Sequence, residues 1–367
     1  MNIDSLITKP TLLLDKQKTL RNIERMVAKA QASGVRFRPH FKTHQSAAIG
    51  EWFRQRGVTA ITVSSVDMAR YFADHGWQDI TIAFPVNLRQ LREINQLAAQ
   101  IKLGLLVESL PIAEQLSSGV TNPVDVWLKI DVGYHRSGLH WYDYEGITAV
   151  ARTIIRAHNL KLVGLLTHAG HSYAARGSKE VLAVYETVFE RLQAGQISLR
   201  DLGIETAVSI GDTPTCSLTD TFEGVDEIRP GNFVFYDLMQ AQIGACSLDD
   251  ISVAVACPIV ARHPERGELV IYGGAIHFSK EQLPLANGAP SYGRLARLTP
   301  NGWQTLSDAS HISSLSQEHG IVQAEPYLLD RVQIGDYLLV LPVHSCLTAN
   351  LLKRYLTLDG EWLDMMR

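Results

Sequence analysis

The chain has 367 residues, of which 46% are hydrophobic, and a formal net charge of −4 at pH 7. This length allows a large hydrophobic core and more than one domain. The slightly acidic balance, with lysine and arginine scattered, argues against a nucleic-acid partner, since phosphate binding needs a concentrated positive face.

The start lacks the pattern of a signal peptide, and no apolar stretch approaches the roughly 20 residues that span a bilayer. The four cysteines form no CxxC pair. We expect a soluble, cytoplasmic protein of enzyme size.

Short apolar strands alternate with helix-length segments from about residue 35 to residue 237. Most of these strands are continuously apolar or β-branched, as strands buried on both faces are. The intervening segments are amphipathic; residues 87–100, for example, carry leucine and isoleucine at helical spacing. The pattern predicts eight strands, at residues 35–42, 60–65, 80–84, 103–107, 124–130, 162–167, 205–209 and 232–236.

Eight strand–helix units predict an α/β fold, a TIM-type (β/α)8 barrel, whose active site lies at the carboxyl ends of the strands. The competing fold is an open doubly wound sheet, which is weaker because no GxGxxG opens a helix after the first strand.

The pattern changes after about residue 245. Strands such as 251–260, 269–273 and 337–342 are separated by Gly, Pro and Asn turns, with few helix-length stretches. We therefore expect a barrel domain at 16–245 and a mainly β domain at 246–367, which also takes the N-terminal strand within 1–15. Pairing of strand 11–15 with the barrel is the alternative.

The first barrel strand is predicted to end with Arg38-Pro39-His40-Phe41-Lys42. On an extended strand Arg38, His40 and Lys42 point to one face. Burying three basic groups is costly without anionic partners, and a phosphate-bearing aldehyde would supply the anion and take the lysine as an imine. Crowding by cations also lowers a lysine pKa, which favours the nucleophilic amine. A solvated basic strand end is the alternative interpretation.

A second motif, Asp131 to Gly138, follows the fifth strand directly. Its glycines permit a tight turn that aims Arg136 back over the barrel mouth. Lys129 could also face inward and is the alternative imine lysine, although a core lysine paired with a carboxylate is the favoured interpretation of this residue.

A third motif, residues 209–215, follows the seventh strand and combines small residues with hydroxyls. Such a segment can present backbone N–H groups to a phosphate, which barrels often bind near strands seven and eight. An ordinary Gly/Pro turn is equally consistent with the local sequence.

The fourth motif is Pro342-Val343-His344-Ser345-Cys346. In an extended segment His344 and Cys346 share a face, so both could bind one borderline-soft metal such as zinc. Two ligands are fewer than the usual three, and His319 is the nearest further candidate in sequence. A core histidine beside a buried thiol is the alternative.

Taken together and in this order, the four motifs resemble the D-threonine aldolase/D-serine dehydratase group of the alanine-racemase-like, fold-type III enzymes, which use pyridoxal 5′-phosphate (PLP). The resemblance covers nearly the whole chain, and its most specific parts are RPHFKTH (38–44), EIRPGNFVFYD (227–237), SQEHG (316–320) and the His344–Cys346 pair. It implies that Lys42, beside His40, forms the imine with PLP and that Arg136 binds the phenolic oxygen. It places Tyr173 near the pyridine nitrogen, the phosphate at Gly211, Thr213 and Tyr236, and a divalent metal at His344 and Cys346.

Within that group the metal pair separates the reactions. The aldolases carry His-x-Asp, whereas the D-serine dehydratases carry His-x-Cys with zinc, which is the pattern found here. The resemblance therefore implies conversion of D-serine to pyruvate and ammonia, with zinc or another divalent metal as the Lewis acid at the departing hydroxide. The alternatives are a D-threonine or 3-hydroxyaspartate aldolase, then an amino-acid racemase or a non-catalytic PLP-binding homeostasis protein. The group also implies a homodimer.

Overall fold

The computed structural model describes residues 3–367. They divide into two compact units: one comprises Glu24–Lys42 and Gly50–Gly231, and the other comprises the segment up to Ile23, Thr43–Ile49 and Asn232–Arg367. The first is called the barrel unit here and the second the β unit. No helix in the described part of the chain is long and apolar enough to cross a membrane.

The chain starts with strand β1 (Thr11–Leu14) and helix α1 (Lys16–Ala32). The barrel unit then contains a parallel sheet of eight strands and one additional two-residue strand, β7. In chain order these are β2 (Arg36–Phe37), β3 (Ile61–Val63), β4 (Asp79–Pro85), β5 (Lys102–Val107), β6 (Val124–Asp131), β7 (Leu139–His140), β8 (Leu160–Leu166), β9 (Ala207–Ile210) and β10 (Glu227–Ile228).

The sheet closes on itself. Its order is β2-β10-β9-β8-β6-β5-β4-β3, with β7 paired to β6. A parallel bridge between His40 and Thr62 joins the two ends, and the Phe41 N–H donates to the Thr62 carbonyl oxygen at 2.8 Å. The (β/α)8 barrel is therefore confirmed, and the open doubly wound sheet is not the fold.

Helices follow most of the barrel strands, and each buries one apolar stripe. In α6, for example, Asp143 caps the start by accepting from the Gly146 N–H, and Ile147, Val150 and Ile154 recur at helical spacing and are buried. The helices from the end of β2 onwards are α2 (Ala47–Arg54), α3 (Val66–Asp74), α4 (Leu91–Ala98), α5 (Leu110–Gly119), α6 (Tyr144–Arg156), α7 (Ser178–Arg200), α8 (Thr213–Leu218) and α9 (Leu238–Ile243).

Seven of the predicted barrel strands correspond to observed strands, and the eighth prediction, at 232–236, is wrong. The eighth strand is β10, Glu227–Ile228, while Asn232–Val234 forms a 3-10 helix. Pro230 and Gly231 separate the two, and proline cannot donate a backbone hydrogen bond to a continuing strand. Phe233, Val234 and Phe235 are nevertheless fully buried, so the apolar run is a core segment that is not extended.

The β unit is built around a mostly antiparallel sheet of order β12-β18-β17-β15-β19-β11-β1-β20-β21, with β16 paired to β15. The strands of the β unit after β1 are β11 (Val253–His263), β12 (Glu268–Tyr272), β13 (Leu283–Pro284), β14 (Pro290–Ser291), β15 (Gly293–Thr299), β16 (Gly302–Thr305), β17 (His311–Leu315), β18 (His319–Gln323), β19 (Tyr337–Pro342), β20 (Arg354–Thr357) and β21 (Trp362–Asp364). Its helices are α10 (Ala275–Phe278), α11 (Pro326–Leu329) and α12 (Ser345–Leu352). Strands β13 and β14 pair with each other, as a separate two-stranded sheet.

Strand β1 lies inside this sheet, antiparallel to β11 and parallel to β20. All four of its residues are buried. The alternative that it pairs with the barrel is therefore wrong. The division into domains at 16–245 and 246–367 stays a prediction.

Candidate active site

Positive charge is concentrated around His168, the second residue after β8. Burial lowers the pKa of His168 well below its usual value, and the charges of Lys42, Arg136, Lys129 and Arg229 lower it further. These side chains come from the ends of β2, β6 and β10 or from the loops that follow them. The barrel therefore gathers cations at the carboxyl ends of its strands, where barrel enzymes bind their ligands.

Lys129 is buried near the end of β6. Burial, and then the charges of Arg229 and Arg136, lower its pKa to about 7. Its Nζ donates to the Ile130 carbonyl oxygen at 3.2 Å, and no carboxylate in residues 3–367 lies within ion-pair distance of it. The interpretation of Lys129 as a lysine paired with a carboxylate is therefore wrong.

Arg38 does not belong to this cationic group. Its Nε lies 2.6 Å from Glu227 Oε2 and its Nη1 lies 2.6 Å from Asp79 Oδ1. The buried charge of Arg38 is therefore compensated by protein carboxylates and not by a phosphate. These direct ion pairs offset the free-energy cost of removing the guanidinium from water.

Strand β2 ends at Phe37, so the predicted alternation does not extend to Lys42. His40 is buried and Lys42 is exposed, in a turn. The Lys42 N–H donates to His40 Nδ1 at 3.3 Å. The expectation that Arg38, His40 and Lys42 share one buried strand face is wrong, because the chain leaves the extended conformation before the lysine.

Arg136 lies in the loop after β6, where the sequence places it. It is exposed, and its Cζ lies 5.2 Å from the ring centroid of Tyr134. Gly138 closes the loop with φ of +119°, and a Cβ there would lie 2.6 Å from the Asp131 backbone nitrogen. Only glycine fits this turn.

Tyr173 lies in the 3-10 helix Gly170–Ala174. Its ring centroid is 6.0 Å from that of His168, so it borders the cationic group. His168 and Arg229 were not among the residues predicted from sequence, although each follows a barrel strand by one or two residues. Position relative to the strand end was the signal that could have identified them.

The loop after β9 offers donors to an anion. The hydroxyls of Thr213 and Thr215 are buried and have no hydrogen-bond partner within the described chain. A Cβ on Gly211 would lie 2.9 Å from Arg229 Cβ and 3.0 Å from its carbonyl oxygen, so glycine permits this close approach. Unpaired buried hydroxyls are costly, and a phosphate would satisfy them. These residues fit the phosphate of PLP.

Tyr236 belongs to the β unit. It is buried, its φ of +50° is unusual for a residue with a side chain, and its N–H donates to the Asn232 carbonyl oxygen at 2.8 Å. Its assignment to the phosphate site stays a prediction.

His344 and Cys346 contact each other, but not on an extended segment as expected. Strand β19 ends at Pro342, His344 caps the start of α12, and Cys346 lies in the first turn of that helix. Burial lowers the pKa of His344, but its hydrogen bond to Cys346 and the charge of that sulfur raise the pKa to about 9. An imidazole and a sulfur within hydrogen-bond distance can both turn towards one ion, so the pair fits a borderline-soft metal.

Within the β unit, Thr43 and Asn232 contact the Cys346 sulfur, and Asp237 contacts Asn232. Thr43 Oγ1 lies 3.3 Å from Cys346 Sγ, and Asn232 Nδ2 donates to the same sulfur at 3.5 Å. Asp237 Oδ2 accepts from Asn232 Nδ2 at 2.6 Å and from the Ser345 N–H at 2.9 Å. These contacts orient the sulfur. These contacts were not predicted from sequence, because the residues that make them are far apart in the chain.

His319 does not join this pair. It is exposed in β18, and it forms no three-ligand group with His344 and Cys346. In residues 3–367, the group of three potential ligands with donor atoms within 4.8 Å of one another is Asp131, His135 and His140.

Comparison with known protein families settles the class of the chain. The model of the alanine racemase N-terminal domain matches residues 14–238, and the model of a putative serine dehydratase domain matches residues 252–358. The chain belongs to the alanine-racemase-like PLP enzymes. The resemblance inferred from the motifs is thereby confirmed.

Curated relatives of this PLP enzyme cover nearly its whole length. D-threo-3-hydroxyaspartate dehydratase from Delftia sp. (strain HT23) is 30% identical, over 98% of this chain and 96% of its own. D-serine dehydratase from Dictyostelium discoideum is 29% identical, over 98% and 95%. D-threonine aldolase from Arthrobacter sp. is 25% identical, over 94% and 87%. The protein is thus a PLP-dependent lyase of the class that acts on D-hydroxy amino acids.

Solved structures agree with this placement. The Delftia dehydratase superposes with a TM-score of 0.91 at 29% identity, covering 100% of this chain and 99% of its own. A cysteine-to-alanine mutant of a D-threo-3-hydroxyaspartate dehydratase, in the metal-free form, superposes with a TM-score of 0.90 at 27% identity, covering 100% of this chain and 99% of its own.

Proposed function

We propose that this lyase is a zinc-dependent D-serine dehydratase, which converts D-serine to pyruvate and ammonia. The observation that carries the proposal is the hydrogen-bonded pair of His344 and Cys346, with Thr43 and Asn232 in contact with the sulfur. A thiolate beside an imidazole favours zinc over manganese or magnesium. The metal-free cysteine mutant of a D-threo-3-hydroxyaspartate dehydratase supports a metal role for a cysteine in this family.

The cofactor residues we propose are Lys42, His40, Arg136, Tyr173, Gly211, Thr213 and Tyr236. When bound, PLP supplies an electron sink for the charge that develops at the substrate Cα. The Lys42 amine takes the Cα proton in this scheme. Arg136, with the cations around His168, stabilises negative charge on the cofactor. The unpaired hydroxyl of Thr213 donates to the phosphate.

The metal residues we propose are His344 and Cys346. A zinc ion held there supplies Lewis acidity for the departure of the substrate β-hydroxyl. The overall elimination breaks the Cα–H and Cβ–O bonds and releases water, and the enamine product hydrolyses to pyruvate and ammonia. Asn232 and Thr43 hold the sulfur in place while Asp237 orients Asn232.

The test is an assay of D-serine, D-threonine and D-threo-3-hydroxyaspartate with purified protein, before and after treatment with a chelator. We expect keto acid from D-serine, loss of that activity on chelation, and recovery on addition of zinc. Borohydride reduction followed by peptide mapping should find the cofactor on Lys42 in both states. An adduct on Lys129, or on no lysine, contradicts the cofactor assignment.

Variants separate metal chemistry from packing. Cys346→Ala should lose stoichiometric zinc and D-serine deamination, while Cys246→Ala, at another partly exposed cysteine, keeps both. Cys346→Asp should keep a harder metal site, shifted towards manganese and retro-aldol cleavage. Full D-serine deamination by metal-free protein would show that His344 and Cys346 only pack against each other.

The second candidate substrate is D-threo-3-hydroxyaspartate, because the Delftia relative named for it is 30% identical over 98% of this chain. The ratio of kcat/KM for the two substrates decides between them. Aldehyde and glycine formed in place of keto acid would assign the aldolase reaction. A homodimer stays a prediction from the family.

A further inference from the structure

The loop between β6 and β7 contains metal-binding side chains that the proposed function does not use. Asp131 ends β6, His140 ends β7, and His135 lies between them. Their donor atoms, one carboxylate oxygen and two imidazole nitrogens, lie within 4.8 Å of one another. Two imidazoles and one carboxylate are a common ligand set for zinc and for its neighbours in the first transition series.

The sheet fixes two of the three ligands. Strands β6 and β7 pair in parallel with Asp131 opposite His140. Asp131 Oδ1 accepts the N–H groups of Gly133 at 2.9 Å and His135 at 3.0 Å. These two hydrogen bonds anchor Oδ1 of Asp131. The other carboxylate oxygen, Oδ2, is directed at the His135 ring and lies 3.2 Å from its Nδ1.

The third ligand position has room to adjust. His135 is 70% exposed at its side chain, and its φ of +58° holds it in the left-handed region. The centre of a triangle with 4.8 Å sides is about 2.8 Å from each corner, against the 2.0–2.1 Å of a zinc–nitrogen bond. Closure by less than about 1 Å for each donor therefore forms the site, and rotation of an exposed side chain supplies much of it.

His140 has a second feature that a metal explains. Its Nδ1 is buried and has no hydrogen-bond partner within the described chain, while its ring packs against Tyr142 at 3.9 Å between centroids. A buried ring nitrogen without a partner is costly. A metal ion bound at this nitrogen removes that cost. Rotation of the His140 ring that turns the nitrogen towards a ligand also removes it.

We propose that Asp131, His135 and His140 form a second divalent-metal site, selective for zinc-like ions, which ties the loop that carries Arg136 to the end of β6. An ion bound there links both ends of residues 131–140 and restrains the backbone next to Arg136. The site lies in the barrel unit and shares no ligand with His344 and Cys346. Its existence does not depend on the proposed function.

The test is zinc titration of the full-length chain in competition with a chromogenic chelator of micromolar affinity. The background variant carries His344→Ala and Cys346→Ala, so that only the loop site remains. We expect it to bind one zinc per chain. Adding His135→Ala or His140→Ala should weaken that binding at least about tenfold, whereas His158→Ala, at an exposed histidine elsewhere in the unit, leaves it unchanged.

Hydrogen exchange provides a readout that needs no substitution in the loop. Zinc added to the background variant should slow exchange of the amides of residues 132–139 and leave α7 unaffected. A background variant that binds no zinc overturns the proposal. Zinc binding that survives both loop substitutions, or zinc that gives no protection of residues 132–139, also overturns it.

Discussion

At the scale of single residues, the site gathers positive charge around one histidine. Lys129, Arg136, Arg229 and Lys42 act on one histidine, His168. The carboxylates of Glu227 and Asp79, near β2, form ion pairs with Arg38. A bound anion would offset this concentration of positive charge. The charge pattern therefore favours a phosphate-bearing cofactor independently of any motif.

Arg136→Ala should retain the fold and lose lyase activity by about 100-fold or more, the scale of one preorganised electrostatic donor. The fold should survive because Arg136 is exposed. Turnover with D-serine and circular dichroism measure the two effects, with Arg152→Ala on α6 as the control. Near wild-type turnover would give Arg136 a structural role only.

Lys129 gives the apoprotein a pH-dependent stability. Its pKa is about 7 in the folded state and 10.5 in an ordinary environment. Between these values the unfolded chain binds a proton that the folded chain does not, so the free energy of unfolding rises with pH across this window. Below about pH 7 both states are protonated and the contribution becomes constant.

Raising the pH from 7 to 9 should therefore stabilise the wild-type apoprotein relative to Lys129→Met by about 2 kcal/mol, or a few degrees in Tm. Thermal unfolding of both proteins at the two pH values measures the difference, and titration of other groups cancels in the comparison. Parallel Tm profiles for the two proteins would mean that Lys129 is charged in the fold.

At the residue scale the sequence predicted which side chains lie at strand ends, but not their partners. Arg136, Gly211 and Thr213 follow from strand position alone. The pairing of Arg38 with Glu227 and Asp79 does not, because three segments meet there only after the sheet closes.

At the scale of elements, apolar runs located seven of the eight barrel strands, because strands buried on both faces are apolar throughout. The same rule failed at 232–236, where an equally apolar run is buried without being extended. The prediction of an extended segment also failed at Cys346, which lies in helix α12. Asp237 accepts the Ser345 N–H at 2.9 Å, and this capping of α12 depends on a contact that no local pattern reveals.

Gly164 sets the spacing of β8 and β9. It lies opposite Ala207 in the parallel register, and a Cβ there would lie 2.0 Å from the Ala207 carbonyl oxygen and 2.6 Å from its nitrogen. Backbone atoms of a central strand cannot yield as the end of a flexible side chain can. Gly164→Ala should lower the free energy of unfolding by about 3 kcal/mol or prevent folding.

The control is Gly195→Ala in α7, where the new Cβ would meet two side-chain ends, Leu165 Cδ1 at 3.2 Å and Ile147 Cδ1 at 3.9 Å. Alanine is favoured over glycine in a helix by about 1 kcal/mol, so this variant should equal or exceed the wild-type Tm. Differential scanning calorimetry compares the two. Equal stability of both variants would show that the β8–β9 spacing is not limited by Gly164.

At the scale of the whole molecule, the β unit is assembled from three separate stretches of chain. Strand β1 has both its partners, β11 and β20, in the last third of the sequence. Leu12, Leu13 and Leu14 are at most 1% exposed, and each contributes about 2 kcal/mol through burial.

A fragment of residues 1–245 should therefore be insoluble or aggregated, since it exposes these leucines and both edges of β1. Co-expression of residues 246–367 as a separate chain should restore soluble protein if the sheet can assemble from two pieces. Soluble yield and gel filtration measure both outcomes. A soluble, folded 1–245 fragment would contradict the dependence of β1 on the C-terminal strands.

The position of β1 also has a consequence for the timing of synthesis. Leu12 lies opposite Tyr355 in the register with β20, so this strand needs a partner that is synthesised much later. At 5–20 residues per second, about 340 further residues take roughly 20–70 seconds to emerge. Throughout that interval three consecutive leucines on the nascent chain lack their sheet. A chaperone that covers residues 11–14 during translation should therefore raise the yield of folded protein more than one that acts after release.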